Sequence, residues 1–229
     1  MKTLKLYSGN GMSSSLRVLL PQFERAHDCK IETLYEPAQI LLREITAGRT
    51  ADLAILGGGV MDQVVKQGHI VAVSVRKLTS NGIGVGVLKG SPRPDIATVE
   101  ACKRTLLNAR CVAYTTEGAS GIYFAGLIEK LGIANEIKAK AKTRAGGLIA
   151  EFVVSGDADI AVQQIPEIMA VPGVDYVGPL PAEINSISVG RAGIFTASKE
   201  AALAQALLDF LQTPQAAEVY RARGLEPEF

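Results

Sequence analysis

One pattern limits the fold of this chain more than any other. A short β-branched or apolar run, a turn containing glycine, and a segment with apolar residues at helical spacing follow one another almost from end to end. Leu4-Lys5-Leu6-Tyr7 reads as a strand and Gly9-Asn10-Gly11 as its turn. Leu16, Leu19, Leu20 and Phe23 then form one helical face, with Pro21 predicting a kink. Ile31 to Tyr35 and Ala51 to Leu56 are further strands; the second runs into Gly57-Gly58-Gly59, and Met61, Val64 and Val65 begin the next helix. Ile83 to Leu88, Cys111 to Tyr114 and Ala158 to Val162 continue the series. Gly118-Ala119-Ser120-Gly121 opens a helix bearing Tyr123, Leu127, Ile128 and Leu131, and Gly146-Gly147 leads into another. Such alternation belongs to parallel βαβ units with helices on both sheet faces, so the fold class is α/β and doubly wound. Ile137 to Arg144 alternates Lys138, Lys140, Lys142 and Arg144 with apolar residues, a period of two that predicts a half-exposed edge strand with a basic row.

Two glycine-rich strands, Ser80 to Val87 and Ser186 to Gly193, flank the middle block. Read as crossings, they divide the chain into lobe I (1–83 plus 192–229) and lobe II (84–191), with a ligand cleft between the lobes that closes by hinge motion. Read otherwise, their glycines mark a close approach of backbones within one sheet.

Charge narrows the partners. Twenty-four Lys+Arg balance twenty-three Asp+Glu for a net charge of +1, so no long-range positive field exists to hold nucleic acid or an anionic membrane. No apolar run is long enough to insert into a bilayer. Cys29, Cys102 and Cys111 lack metal-ligand spacing and fit a reducing compartment or buried thiols. The opening MKTLKLYSGNGMSSSL holds no apolar leader stretch. The chain as it stands therefore reads as cytoplasmic, and as periplasmic if a leader has been removed.

The strand-to-helix turns carry the candidate site. In doubly wound sheets ligands bind beyond the carboxyl ends of the strands, where helix starts expose unpaired amides and the positive end of the dipole to an anion. The turns concerned hold Asn10, Gly11 and Met12, then Ala38 and Gln39, then Gly58, Ser120, Arg144, Ala145 and Gln163. Arg144 ends a strand where a guanidinium suits a carboxylate held bidentately. Gln163 or Gln164 points into a cleft or else both hydrogen-bond to loop backbone, and Ser120 is an ordinary N-cap, or a cap and an anion donor together. Gly9-Asn10-Gly11 begins like a dinucleotide loop but has Ser14 at the third glycine position. Neither a Walker A pattern nor a GxSxG elbow occurs, and His27 and His69 sit in no catalytic constellation. No metal and no cofactor is implied; the partner is a small anionic ligand.

The chain is similar throughout to the periplasmic molybdate-binding protein family, with its type II periplasmic-binding-protein fold. The matching stretches are Ile45-Thr46-Ala47-Gly48 to Leu53, Met61-Asp62, Gly121-Ile122-Tyr123, Glu129 to Gly132, and above all Pro214-Gln215-Ala216-Ala217-Glu218-Val219-Tyr220. The resemblance implies two lobes, two crossover strands and an anion cleft, with a transporter permease as partner if the protein is secreted. It also implies ligand positions, and these depart from the family's pattern. Gly11 and Ala38 stand where the family has serines, and Gln163 where it has a tyrosine, while the backbone donors map to Ser120 and Ala145. Loss of three hydroxyl donors disfavours a tetrahedral metal oxyanion, and Arg144 suggests carboxylates.

Val171-Pro172-Gly173-Val174 and Val177-Gly178-Pro179-Leu180-Pro181 look like a variant branch that resembles aconitate isomerase. Two functions therefore stand side by side. One is a solute-binding protein for a di- or tricarboxylate. The other is a cofactor-free isomerase of an unsaturated tricarboxylate, for which Glu36, Glu117 and Tyr123 are the candidate bases.

Overall fold

A computed structural model describes residues 1–229. The chain runs β1 (Lys2–Gly9), α1 (Ser13–His27), β2 (Cys29–Glu36), α2 (Ala38–Thr46), β3 (Leu53–Gly57), α3 (Gly58–Lys66) and β4 (Arg76–Asn81). It continues with β5 (Ile83–Leu88), α4 (Val99–Asn108), β6 (Val112–Thr115), α5 (Ala119–Lys130), α6 (Ala134–Ala139), β7 (Ala141–Arg144), α7 (Glu151–Val154), β8 (Ile160–Gln164), α8 (Ile165–Met169) and β9 (Val174–Pro179). It ends with β10 (Ser188–Ile194), α9 (Ala201–Phe210), α10 (Pro214–Arg221) and β11 (Glu226–Pro227). Two compact units result, Met1–Ser80 with Ser188–Phe229, and Asn81–Ile187.

The first unit is built on a six-stranded sheet in the order β11-β4-β10-β3-β1-β2. β1, β2 and β3 are mutually parallel, with Gly9 level with Glu36, and β10 runs antiparallel to β3, with Arg191 opposite Leu56. Buried on both faces, β3 sorts its side chains by the strand's period of two. Leu53 and Ile55 join the cluster with Leu16, Phe23, Leu207 and Tyr220, from α1, α9 and α10. Ala54 and Leu56 join Leu41, Ile45, Met61 and Val64, from α2 and α3. α1 passes through Pro21, an exposed position, without a break in the helix.

The second unit has five strands in the order β7-β6-β8-β5-β9. β6, β7 and β8 are parallel, and β5 is antiparallel to β8. Val112 and Val162 pack with Cys102, Leu106, Phe124 and Ile128 on one face, and Ala113 and Ala161 with Ile149 and Val153 on the other. The glycines of β5 answer to close approach. A Cβ on Gly84 would lie 2.7 Å from the Tyr176 ring, and one on Gly86 the same distance from Ile168 Cγ2. Their bare face is what lets α8 settle against the sheet.

One expected strand is corrected. Ile137 to Ala139 belongs to α6, and the edge strand is only Ala141–Arg144. Ile137 is fully buried against the second unit's core, so a helical register that buries it prevails over the alternation. The basic row is consequently dispersed. Lys138 pairs with Glu129, Lys140 donates to the carbonyls of Leu107 and Ala109, and Lys142 lies over the Phe152 ring.

Candidate functional site

In the first unit, parallel strands bring Gly9, Glu36 and Gly57 to one edge of the sheet. Asn10, Gly11 and Met12 form a 3-10 turn beyond Gly9, and α1 starts only at Ser13. Met12 turns inward: it is buried in the core, and the Thr79 hydroxyl donates to its sulfur. What Met12 can offer at this edge is its backbone, not its side chain. Ala38 and Gln39 open α2, half-buried and exposed respectively, and Glu36 is half-buried beside them. Gly58 opens α3.

None of α1, α2 and α3 has a side-chain cap; the first amide of α1, Ser13, donates instead to the Asn10 carbonyl, and the Ile40 amide of α2 to the Pro37 carbonyl, so the amides that can face a ligand or water are the earlier ones of α2 and those opening α3. α4 and α10 do have caps, from Thr98 and Thr213. α9 also lacks one, so a missing cap does not by itself mark a site. Two further groups at this edge were not singled out from sequence. Ser14 and Ser15, in the first turn of α1, each hold a buried hydroxyl without a partner. Arg191 comes from β10 and lies across the start of α3, its Cζ 3.6 Å from where a Gly58 Cβ would stand. Its Nη1 donates to Asp62 at 2.7 Å, while its Nε is buried and unpartnered. A single charge in the otherwise small and uncharged strand Ser188–Ile194 was the signal available for it.

In the second unit the corresponding edge carries the ends of β6, β7 and β8. The amides of Thr116 and Glu117 donate to the carbonyls of Arg144 and Ala145, which ties two of these ends together. Ser120 is buried inside the first turn of α5, whose N-cap is Gly118, so it does not cap the helix as anticipated. Thr115 turns a buried, unpartnered hydroxyl toward the same turn, 2.6 Å from where a Gly121 Cβ would stand. Ala145 is exposed. The glycine turn after Arg144 does not open a helix directly, since α7 begins at Glu151 and has four residues. Tyr123 donates its hydroxyl to the carbonyls of Ile184 and Asn185.

Arg144 folds back on its own loop. Its Nη2 donates to the Leu148 carbonyl and to Glu151, its Cζ lies 5.3 Å from the centre of the Phe152 ring, and its Nε is buried without a partner. Gly147, at φ +85°, leaves the room for this: a Cβ there would be 3.2 Å from Nη2. Gln163 is buried, and its amide bridges the same loop, donating to the Gly147 carbonyl at 2.8 Å and accepting from the Ile149 amide at 3.0 Å. Gln164 accepts from Asn81. Both glutamines are thus engaged within the unit.

Below them lies Glu167, in the first turn of α8 and only 8% exposed. Burial pushes its carboxyl up to about 8, although hydrogen bonds from the Gln163 side chain and the Gln164 backbone pull the other way. A lone acid between Pro166 and Ile168, just beyond a buried strand, was the sequence signal that went unread.

Sequence and structure comparisons place this architecture. Residues 4–226 match the model of the bacterial extracellular solute-binding protein family, and the chain belongs to that family. Its fold is that of the type II periplasmic binding proteins. The periplasmic molybdate-binding protein of Azotobacter vinelandii superimposes with a TM-score of 0.80 over 97% of this chain and 98% of its own, at 17% identity. Among curated relatives, aconitate isomerase from Pseudomonas sp is 29% identical over 98% of this chain and 88% of its own. The molybdate-binding protein ModA of Escherichia coli K12 is 23% identical over 96% and 88%.

Proposed function

We propose that this protein binds a small organic anion carrying two or three carboxylates, with helix starts at the strand ends and one arginine in each unit, Arg191 in the first and Arg144 in the second, as the groups suited to a carboxylate. One observation carries the reading. Each unit brings a half-buried arginine to the carboxyl edge of its sheet, with a buried Nε that has no partner and a terminal nitrogen on a solvent-exposed acid. Such an exposed ion pair is worth only about 0–1 kcal/mol, so a ligand carboxylate displaces Glu151 or Asp62 at little cost and gains a stronger, charge-assisted pair. Gly11 and Ala38 bring no hydroxyl, and Gln163 spends its amide on the loop. Those are poor terms for a tetrahedral oxyanion, although relatives of this chain bind molybdate.

A second reading has its own support, the likeness to aconitate isomerase along 98% of the chain. In that chemistry a base takes a proton from the methylene carbon of the propene tricarboxylate. The electron pair spreads over the allylic carbons and adjoining carboxylates, and a proton returns to the formerly vinylic carbon. The double bond moves, the charge balances and nothing is oxidised. Of the three bases suggested by sequence, Glu36 and Glu117 remain candidates, while the Tyr123 hydroxyl donates to backbone carbonyls.

One experiment tests both readings. Proton spectra of citrate, cis-aconitate and trans-aconitate are followed in D₂O with the protein. Line broadening of one acid supports binding, and a new isomer or deuterium uptake adds catalysis. Unchanged spectra for every acid overturn the carboxylate reading.

A further inference from the structure

We infer that Asn185 is the clamp of the second unit: its one side-chain amide ties the strand by which the chain enters the unit to the segment by which it leaves. The chain crosses the unit boundary twice, after Ser80 and after Ile187. Both links are short. Only Gly82 separates β4 from β5, and only Ser186 and Ile187 separate Asn185 from β10. Asn185 stands at the near end of both. Its Oδ1 accepts from the Ile83 amide at 2.9 Å and from the Ser186 amide at 2.8 Å. Its Nδ2 donates to the carbonyls of Ile83 and Leu180, each at 3.1 Å.

A side-chain amide has two donor hydrogens and an oxygen with two lone pairs, and here all four are used. Aspartate, of the same size, offers no donor when ionised. Ile83 is buried, so without this partner its amide is left unpaired away from water. Neighbouring bonds reinforce the joint. The Leu180 amide also donates to the Ile83 carbonyl, and the Tyr123 hydroxyl of α5 reaches the carbonyls of Ile184 and Asn185. Gly82 leaves the room: a Cβ there would stand 3.0 Å from Asn185 Nδ2 and 3.3 Å from Ile187 Cδ1. The clamp makes both links start from one fixed point. Bending of the chain at the boundary is thereby confined to Asn81 and Gly82 on one side and to Ser186 and Ile187 on the other. This holds whatever anion the protein binds.

Amide hydrogen exchange read residue by residue by NMR tests the clamp without any ligand. In the wild type the Ile83 and Ser186 amides are expected to share one degree of protection, because a single oxygen holds both. In Asn185→Ala both are expected to lose about tenfold to a hundredfold in protection. That loss comes on top of any at Val85 and Val162, which face each other in the middle of the sheet. Tyr123→Phe, which leaves the Asn185 amide in place, is expected to keep both protected.

A freely exchanging Ser186 beside a protected Ile83 overturns the inference. So does a loss in Asn185→Ala that is no larger at these two amides than at Val85 and Val162. Gly82→Ala approaches the joint from the other side. It keeps Asn185 but crowds its amide, so a smaller loss at the same two positions is expected, and unchanged protection at both overturns the inference. If Asn185→Ala does not fold, Gly82→Ala and the wild-type comparison decide.

Discussion

The two units solve the same problem with different materials. At the edge of the first, three helices of nine to fifteen residues start from parallel strands, and Gly58 and Gly59 leave the α3 amides bare. At the edge of the second only α5 is long, with twelve residues, while α7 and α8 have four and five. So short a helix adds little dipole. There the edge is assembled from side chains instead: Arg144 and Gln163 clasp a loop, with Glu167 beneath them. Backbone amides tolerate substitution and show little dependence on pH. A network of side chains is sensitive to both.

The largest expected effect separates the two kinds of helix start. A Cβ on Gly121 would stand 1.7 Å from the Thr115 carbonyl oxygen, backbone that cannot retreat, whereas one on Gly59 meets nothing within 4 Å. Gly121→Val is expected to destabilise the fold by roughly 3 kcal/mol or more. Gly59→Ala is expected to be neutral or to gain about 0.5–1 kcal/mol. Urea unfolding of the two variants compares them. Equal stabilities would mean that the tight strand–helix contact of the second unit is not a difference between the units at all.

Next come the arginines. Arg144→Ala and Arg191→Ala are each expected to weaken trans-aconitate or citrate binding about tenfold to a hundredfold, the loss of one charge-assisted pair. The melting temperature should hardly move for Arg191→Ala, whose partner Asp62 is exposed, and fall modestly for Arg144→Ala, which also loses the bond to the Leu148 carbonyl. Calorimetric titration checks this. If one substitution leaves the affinity unchanged, that arginine takes no carboxylate and the comparison tilts to the other unit.

A smaller effect concerns pH and stability. The folded carboxyl of Glu167 holds its proton up to about 8, from an ordinary value of 4.5. Between those values the unfolded chain binds fewer protons at this position, so Glu167's contribution falls as pH rises through the window, by on the order of a few kcal/mol in total. Below about 4.5 no such cost exists. Thermal melts from pH 4 to 9 should show this slope in the wild type and lose it in Glu167→Gln. An unchanged slope would leave the second unit without its pH-sensitive element.

The smallest effect is chemical. Burial pushes the Cys102 thiol up to about 11, so iodoacetamide at pH 8 should label it only through opening of the second unit. Cys29, also buried and raised, reports the first unit in the same way. Their relative labelling rates, read by mass spectrometry, rank the openings of the two units.

Much of this was legible in the sequence because it is local. Periodicity located β1, β3, β6 and β8 and the helices that follow them, and the glycine turns marked which ends of the strands matter. Where local pattern and tertiary burial disagreed, burial prevailed. The first part of the alternation, Ile137 to Ala139, gave way to a helix because Ile137 reaches the core that way, while Ala141–Arg144 stayed a strand. From its 3-10 turn Met12 sends its side chain to the interior, and Ser120 is enclosed in α5 instead of capping it.

What the sequence alone determined, then, is the class of fold and the row of strand-to-helix turns, since both follow from residue spacing and from where glycine stands. Only the tertiary structure decided which side chains arm those turns. Arg191 reaches Gly58 because β10 pairs with β3, strands separated by more than a hundred residues in the chain. Arg144 turns back on its loop because Gly147 leaves space and Glu151 lies seven residues onward, at the start of α7. Glu167 becomes an acid of unusual character only when α8 is pressed onto the bare glycines of β5 and water is removed from around it. Pairing and dehydration depend on residues distant in sequence, and no local pattern encodes them.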